Sequence, residues 1–139
     1  THLKAGQNEV IRYAQAQELL EAVSANDEPT LILGDLNADP PAQIENKDES
    51  AVHVLRKFKS AYDLEDPDFA TTWKTRHGTG TVKRVIDYIL YDKNQLECVA
   101  TLDTPDLTLE PQKLPNLRFP SDHFMIAARL KLLKEREGT

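Results

Sequence analysis

The chain has 139 residues, of which 40% are hydrophobic and 29% are charged, so its composition is that of one soluble globular domain. No apolar run approaches the roughly 18 residues that a membrane span needs, no signal peptide is visible, and the net charge of −6 argues against a protein that coats nucleic acid. Cys98 is the single cysteine and cannot form an internal disulfide, which favours a reducing compartment: the cytoplasm, with the nucleus or a mitochondrion as alternatives.

The first half of the chain is predicted to alternate helix and strand. An apolar stripe at helical spacing predicts a helix over residues 8–25, with Asn8 as its cap. The apolar run 30–34 predicts a buried strand, which ends before Pro40 because proline cannot continue a ladder. A polar loop is predicted over 44–50 and a second helix over 50–58.

The second half is predicted to consist mostly of strands. The Gly- and Thr-rich turn 77–81 joins the first two into a hairpin, and alternation in the third places Cys98 in the core. The proline-containing segment 104–118 is predicted to be a surface loop, and the tail 134–139 is predicted to fray. The four strands are predicted over 71–74, 85–91, 96–102 and 124–132.

The segment Gly34-Asp35-Leu36-Asn37 ends the first strand with two polar side chains. Their spacing of two lets Asp35 and Asn37 face the same side of a strand end, where the chemistry of α/β sheets gathers. A carboxylate beside a carboxamide suits a site that handles a metal, an attacking water and a phosphoryl oxygen. The alternative is that both residues only shape the turn, as Asp and Asn often do.

Asp87 is a lone carboxylate inside the apolar run 85–91. An isolated charge in a strand that is buried on both faces is very costly, so Asp87 needs a partner. The structural alternative to a site residue is a hydrogen bond or an ion pair with nearby Arg84.

Three further polar patches fall at strand ends or turns. Asp122 and His123 precede the last strand, or alternatively cap a turn there. His2 and Lys4, at a spacing of two, either converge on one phosphate or form an exposed strand face. The third patch is a basic hairpin in an acidic chain, formed by Lys74, Arg76, His77, Lys83 and Arg84.

In combination, these patches indicate metal-assisted phosphoryl hydrolysis, which uses carboxylates, a carboxamide, histidines and cations near strand ends. A serine hydrolase is less suitable because the chain has no Gly-x-Ser-x-Gly elbow. The chain has neither the Cys/His pattern of a structural zinc site nor the glycine-rich loop of a P-loop NTPase.

Five segments resemble, in chain order, the C-terminal half of the endonuclease/exonuclease/phosphatase superfamily, and within it the branch of nocturnin and the CCR4-type deadenylases. The resemblance implies an α/β (α+β) fold: a two-sheet sandwich with flanking helices of the DNase I-like type. The segments are Thr1-His2-Leu3-Lys4-Ala5, Gly34-Asp35-Leu36-Asn37, Thr71-Thr72-Trp73-Lys74, Ile86-Asp87-Tyr88-Ile89 and Pro120-Ser121-Asp122-His123.

The resemblance also implies catalytic roles. Asp35 orients or deprotonates the attacking water, and Asn37 holds a phosphoryl oxygen. Asp87 fixes the imidazole of His123, as a carboxylate does when it sets a tautomer, and His123 contacts the scissile phosphate. His2 binds the same phosphate from the opposite side.

The implied substrate contacts and cofactor follow the same motifs. Lys4 binds the phosphate with His2, and Arg76 and Trp73 belong to the substrate site. The implied cofactor is Mg²⁺, with Mn²⁺ as an alternative, near Asp35 and Asp122. The implied activity is a nocturnin-like Mg²⁺-dependent phosphohydrolase acting on a nucleotide or an RNA end, either an NADP(H) 2′-phosphatase or a 3′ poly(A) exoribonuclease, with no membrane partner.

The chain departs from the family pattern in two ways. The principal metal-binding Glu of the family lies upstream of the Thr-His-Leu motif, so residues 1–133 are expected to be the C-terminal half of one domain, inactive alone. Its partner would be the N-terminal half or a covering chain, and the uncovered half is expected to aggregate or pair. Gly6 stands where nocturnin-type sequences have an Arg, which counts against recognition of the 2′-phosphate of a nicotinamide dinucleotide, and Arg12 is a candidate substitute for that Arg as a phosphate ligand. The alternative function is a non-catalytic phosphate-binding or protein-interaction module that lacks the metal Glu.

Overall fold

The computed structural model describes residues 1–6, 8–25, 27–76, 78, 80–105 and 113–133, without the side chains of Lys47 and Arg76. The predicted tail 134–139 and His77 lie outside the described residues. In the described part, no helix has both the length and the apolarity to cross a membrane. The elements are α1 (Glu9–Val23), β1 (Leu31–Asp35), α2 (Ala51–Val54), β2 (Lys59–Ser60), β3 (Thr72–Arg76), β4 (Gly80–Arg84), β5 (Asp87–Tyr91), β6 (Leu96–Thr101) and β7 (Ala128–Leu132).

The first helix is confirmed, and the second is shorter than predicted. Asn8 caps α1 by accepting a hydrogen bond from the Ile11 N–H at 3.2 Å. Ser50 caps α2 in the same way, but this helix ends at Val54 instead of continuing to residue 58. The chain turns there because the Phe58 N–H donates to the Leu55 carbonyl at 2.9 Å, and both of these side chains are buried in the core. The predicted loop 44–50 includes a short 3₁₀ turn, Lys47–Glu49.

Three antiparallel strands form the central sheet, in the order β1-β5-β2. One face of this sheet packs on the helices, where Ile32 and Tyr88 join Ala16 of α1 in the hydrophobic core. Strand β1, which was predicted to be buried, is buried on one face only. Leu31 is 42% exposed and Leu33 is 51% exposed, because these side chains alternate to the opposite face of the sheet.

The run 85–91, predicted as one strand that pairs with the first strand of the hairpin, is a strand only from Asp87 onward and belongs to a different sheet from that hairpin. Strand β4 ends at Arg84 and pairs with β3, whereas β5 begins at Asp87 and pairs with β1. Thr71 explains the break, because its Oγ1 accepts hydrogen bonds from the Ile86 and Asp87 N–H groups at 2.9 and 3.1 Å. The hairpin partner of β3 is therefore β4, and β5 is free to place Asp87 beside β1.

The last two strands form a hairpin, and the final strand is shorter than predicted. Strand β7 pairs with β6 in an antiparallel register that is irregular between Cys98 and Ala100. Cys98 is half-buried and Ala100 is exposed, so the assignment of Cys98 to the core is wrong. Phe124 lies outside β7 because its N–H donates to the Thr71 carbonyl at 2.8 Å, which holds the chain before β7 against β3.

Candidate active site

The register of the central sheet brings two acidic side chains together. Asp35 at the end of β1 lies directly opposite Asp87 at the start of β5. Directly opposed residues of an antiparallel pair project from the same face, and like charges in such a pair repel each other. His123 completes the group: one ligand atom from each of these three residues lies within 4.8 Å of the others. The structure therefore joins three of the predicted site residues.

Asp35 uses its two carboxylate oxygens differently. Oδ1 accepts a hydrogen bond from the Asn37 N–H at 2.8 Å, which is the turn-shaping role considered for this residue. Oδ2 lies 3.6 Å from Nε2 of His2, on a carboxylate that is 19% exposed. The turn and the site are therefore not exclusive, because one oxygen shapes the turn while the other faces a predicted phosphate-binding histidine.

Asn37 directs its amide nitrogen toward the N-terminal segment, residues 1–6. Its Nδ2 donates to the Leu3 carbonyl at 3.1 Å and lies 3.1 Å from Nε2 of His2. The backbone of Asn37 is left-handed, with φ of 50°, a conformation that Asn tolerates better than most residues. The amide nitrogen of Asn37 therefore has both of its neighbours in the N-terminal segment.

The partner of Asp87 is His123. Nδ1 of His123 lies 2.8 Å from Oδ2 of Asp87, and the two side chains are 27% and 18% exposed. The alternative ion pair with Arg84 is wrong, because that guanidinium binds Asp39 through two hydrogen bonds of 2.7 and 3.0 Å. A carboxylate on Nδ1 fixes the ring and leaves Nε2 free to face a ligand.

Asp122 is held by a lysine that had no assigned role. Its carboxylate forms an ion pair with Nζ of Lys74, and its carbonyl accepts a hydrogen bond from the Thr72 hydroxyl at 2.7 Å. The hydrogen bond from Lys74 lowers the pKa of the Asp122 carboxyl below its ordinary value. Asp122 lies outside the group formed with Asp35, although its Oδ1 is 3.9 Å from Nε2 of His123.

Lys74 is the contact that sequence reasoning missed, although the residue belonged to the predicted basic hairpin. The signal was its spacing from Thr72, because two residues apart on a strand share a face, and both meet Asp122. The same alternation turns Trp73 to the opposite face of β3, so its predicted substrate contact gains no support from this placement.

The remaining cations of the hairpin are engaged elsewhere or not described. Lys83 donates to the Pro67 carbonyl at 2.9 Å, and Arg84 binds Asp39. The backbone of Arg76 ends β3, but its side chain is outside the described part of the chain. Lys4 is exposed beside His2 in the N-terminal segment. The predicted substrate contacts of Lys4 and Arg76 therefore stay predictions.

The donor set at the sheet end fits a divalent cation. Two opposed carboxylates and an imidazole lie within 4.8 Å of one another, and a cation would relieve the repulsion between the carboxylates. Asp35 offers Oδ2, because its Oδ1 is used by the turn. Mg²⁺ keeps several waters and is bound through one or two carboxylates, which this set can supply.

The model of the endonuclease/exonuclease/phosphatase family matches residues 2–123 of the chain. This match runs from His2 through Asp35 and Asp87 to His123, and so contains the whole group described above. The chain belongs to the endonuclease/exonuclease/phosphatase family.

Individual relatives agree with this assignment. Human nocturnin is 31% identical over 147 residues, which cover 99% of this chain and 34% of the relative. Nocturnin of Xenopus laevis is 35% identical, covering 91% of this chain and 34% of the relative. The CCR4-Not complex 3′-5′-exoribonuclease subunit Ccr4 of Neurospora crassa is 44% identical over 59 residues, which cover 40% of this chain and 7% of that protein.

The fold has a solved counterpart. The human nocturnin catalytic domain, solved with a bound sulfate anion, superimposes with a TM-score of 0.64 at 26% identity, over 95% of this chain and 45% of that one. The mixed fold with several antiparallel sheets is therefore the DNase I-like fold of this family, as predicted. The chain spans about a third of the length of the nocturnins that it matches.

Proposed function

We propose that this chain forms part of a metal-dependent hydrolase of phosphate esters that acts on a nucleotide or an RNA end. The observation that carries the proposal is the convergence of Asp35, Asp87 and His123 at one end of the central sheet, with His2 and Asn37 beside them. Family membership supports the same class of reaction, since the matched region contains all five residues.

Each residue of the group has a role that its contacts support. Asp35 orients or deprotonates the attacking water through Oδ2, the oxygen that the turn leaves available. Asp87 accepts the Nδ1–H of His123 and thereby directs Nε2 toward the phosphoryl group. His2 and Lys4 approach the phosphate from the N-terminal segment, on the opposite side from His123.

Phosphate binding in this proposal requires an exchange of partners at Asn37. The amide of Asn37 faces the Leu3 carbonyl and the His2 imidazole. A phosphoryl oxygen takes the place of Nε2 of His2 at this amide, and His2 in turn contacts the phosphate itself. Asn37 and His2 therefore respond together when an anion binds.

A divalent cation, Mg²⁺ or Mn²⁺, would be held by Asp35 and would polarise the phosphoryl oxygens and the attacking water when bound. Asp87 and His123 are the other donors within reach. Asp122, the second predicted metal ligand, must first leave the ammonium of Lys74 to serve in this way. That ion pair makes Asp122 the weaker candidate of the two.

Two substrates are proposed for the site. One is the 2′-phosphate of NADP(H) and the other is a 3′ poly(A) end, with Arg76 and Trp73 as predicted substrate contacts. The similarity to nocturnins supports a nucleotide or RNA substrate, and the names of the Ccr4 relatives specify a 3′-5′-exoribonuclease. The net charge of −6 favours the small nucleotide, because long RNA usually requires a larger basic surface.

A side-by-side assay tests the proposal and separates the substrates. The protein is used with its complete domain, because residues 1–133 alone are expected to be inactive. It is incubated with NADPH and with an oligo(A) in Mg²⁺, in Mn²⁺ and in EDTA, and phosphate release and oligonucleotide length are measured. Turnover of one substrate that EDTA abolishes supports the proposal and identifies the substrate class. Equal turnover in EDTA, or turnover that survives Asp35→Ala, contradicts it.

The ion pair of Asp122 with Lys74 favours a second candidate, a phosphate-binding or protein-interaction module without turnover, because it occupies one predicted metal ligand. Such a module binds inorganic phosphate near His2 and His123 but releases no product in any metal. We also propose that residues 1–133 pack against the other half of the domain or a covering chain, since Leu31 and Leu33 leave an apolar face of β1 exposed. The proposed compartment is the cytoplasm.

A further inference from the structure

The N-terminal segment, which carries His2 and Lys4, is bound to α1 by a buried arginine. Arg12 is 5% exposed, and its guanidinium donates to the carbonyls of Lys4, at 3.1 Å, and of Gly6. Both acceptors belong to the backbone of the segment. The guanidinium is therefore not available to a phosphate, and Arg12 does not replace the Arg that nocturnin-type sequences carry where this chain has Gly6.

Glu9 keeps the guanidinium in place. Its Oε2 accepts from Nε of Arg12 at 2.8 Å and forms the ion pair with the same side chain, and its Oε1 accepts from the Ala51 N–H at 3.0 Å. The carboxylate thus ties α1 to the first turn of α2 while it satisfies the buried cation. A buried charge needs a partner of this kind, and removing one partner leaves the other uncompensated.

The other end of the segment is bound to the candidate active site. The Leu3 N–H donates to the Asp35 carbonyl at 3.0 Å, and the Leu3 carbonyl accepts from the Asn37 amide. Gln15 of α1 accepts from the Lys4 N–H at 2.8 Å. The segment therefore lies between β1 and α1, and its position relative to Asp35 depends on hydrogen bonds from both sides.

We propose that Arg12 is a positioning residue, which fixes the backbone at Lys4 and Gly6 and so sets where His2 and Lys4 meet a phosphoryl group. This inference rests on the proposed function. Arginine suits the task because its planar fork donates in several fixed directions at once, whereas lysine carries the same charge as a single point. Charge alone will therefore not replace it.

The experiment compares Arg12→Gln and Arg12→Lys with two matched controls. Leu20→Ala weakens the packing of the same helix about two turns away from Arg12, and Arg56→Met removes an exposed arginine whose guanidinium donates to the His53 carbonyl. The first readout is hydrogen exchange of the Leu3 amide. The second is NMR of His2 and His123 during titration with inorganic phosphate, the signals being assigned with His→Gln variants.

Both Arg12 variants are expected to speed Leu3 amide exchange and to weaken phosphate binding about tenfold, with neither effect in the controls, since residues that hold a ligand group in place contribute at this level. If the Arg12 variants match Leu20→Ala in Leu3 amide exchange and in phosphate binding, the inference is overturned. This holds whether or not the wild type binds phosphate. If the Leu3 amide exchanges faster in both Arg12 variants but the wild type does not respond to phosphate, the inference that Arg12 positions the segment stands. The proposed function is then contradicted instead.

Discussion

Nδ1 of His123 lies 2.8 Å from Oδ2 of Asp87, and Asp87 is the residue directly opposite Asp35 in the central sheet. One hydrogen bond therefore connects the loop before β7 to the strand that carries the second carboxylate. The charge of Asp87, which is costly inside an apolar run, is compensated by an imidazole that the same bond orients.

Replacing Asp87 with Asn should greatly reduce the rate of turnover while the protein stays folded. The amide keeps the shape but no longer favours the Nδ1–H form of His123, so we expect a loss of about 10²- to 10⁴-fold, in the range of general acid–base contributions. The rate is measured together with the His123 Nδ1–H signal by NMR. Asp68→Asn, at an exposed carboxylate, is the control and should leave both unchanged.

Gly34 should tolerate no side chain, because the N-terminal segment crosses it closely. A Cβ at this position would lie 1.8 Å from the Thr1 carbonyl oxygen, so Gly34→Ala must push the segment away from β1. We expect a loss of about 2–3 kcal/mol in the free energy of unfolding, measured with urea. We also expect a changed chemical shift of the His2 imidazole in NMR.

The matched control for Gly34 is Gly78→Ala. Gly78 has a φ of 84° but nothing within 4 Å of its added Cβ, so it should cost only about 1 kcal/mol of backbone strain and leave the His2 signal unchanged. Equal losses in the two variants would mean that close approach to Thr1 is not the cause.

Tyr88 should make the protein sensitive to alkaline pH. Its hydroxyl donates to the Ala38 carbonyl at 2.7 Å, and burial, with the nearby charge of Asp39 as a smaller cause, raises its pKa above the ordinary value. A raised pKa in the folded state means that the stabilisation is complete below about pH 10, the pKa of Tyr in unfolded chains, and is lost progressively as the pH rises above it.

The measurement is the melting temperature from pH 8 to pH 11 for the wild type and Tyr88→Phe. The variant is expected to be less stable at pH 8, where it lacks the hydrogen bond, and to lose less stability between pH 10 and pH 11. Parallel curves would show that Tyr88 does not contribute to the alkaline transition, because the other tyrosines are the same in both proteins.

Metal affinity should depend on Asp35 much more than on Asp122. Asp35 has an oxygen that faces the group with Asp87 and His123, whereas Asp122 is bound to Lys74. We expect Asp35→Asn to weaken Mn²⁺ binding by more than about tenfold, because a ligand is lost. Asp122→Asn should change it less than about threefold, because this exposed charge is already paired with Lys74 and exposed charges contribute less than about 1 kcal/mol. Calorimetry with Mn²⁺ measures both, and the reverse order would restore Asp122 as a ligand.

The sequence identified the polar residues of the site, but not where all of their strands begin or how those strands pair. Asp35 is identified as a carboxylate at a strand end and Asp87 as a lone charge that needs a partner, while their direct opposition depends on the register of β1 and β5, which no local pattern specifies. The break before β5 depends on the Thr71 hydroxyl, a contact over 15 residues that sequence periodicity does not report.

The cations show the same limit. The sequence analysis offers Arg84 as a partner of Asp87 and Lys74 as part of the basic hairpin. It offers Arg12 as a phosphate ligand. Each is paired instead with a carboxylate from elsewhere in the chain or in the same helix: Asp39, Asp122 and Glu9. Composition and spacing identify such charges, whereas the tertiary fold decides which of them remain free for a ligand.

The most direct test of the central claim is the rate of phosphate-ester hydrolysis in Mg²⁺ by the protein with its complete domain. The wild type, Asp35→Ala and His123→Ala are compared on whichever of NADPH and oligo(A) is turned over. If these two residues act on the same phosphoryl group, each substitution should lower the rate by about 10²- to 10⁴-fold while circular dichroism shows an unchanged fold. Near-normal turnover by either folded variant would contradict the account.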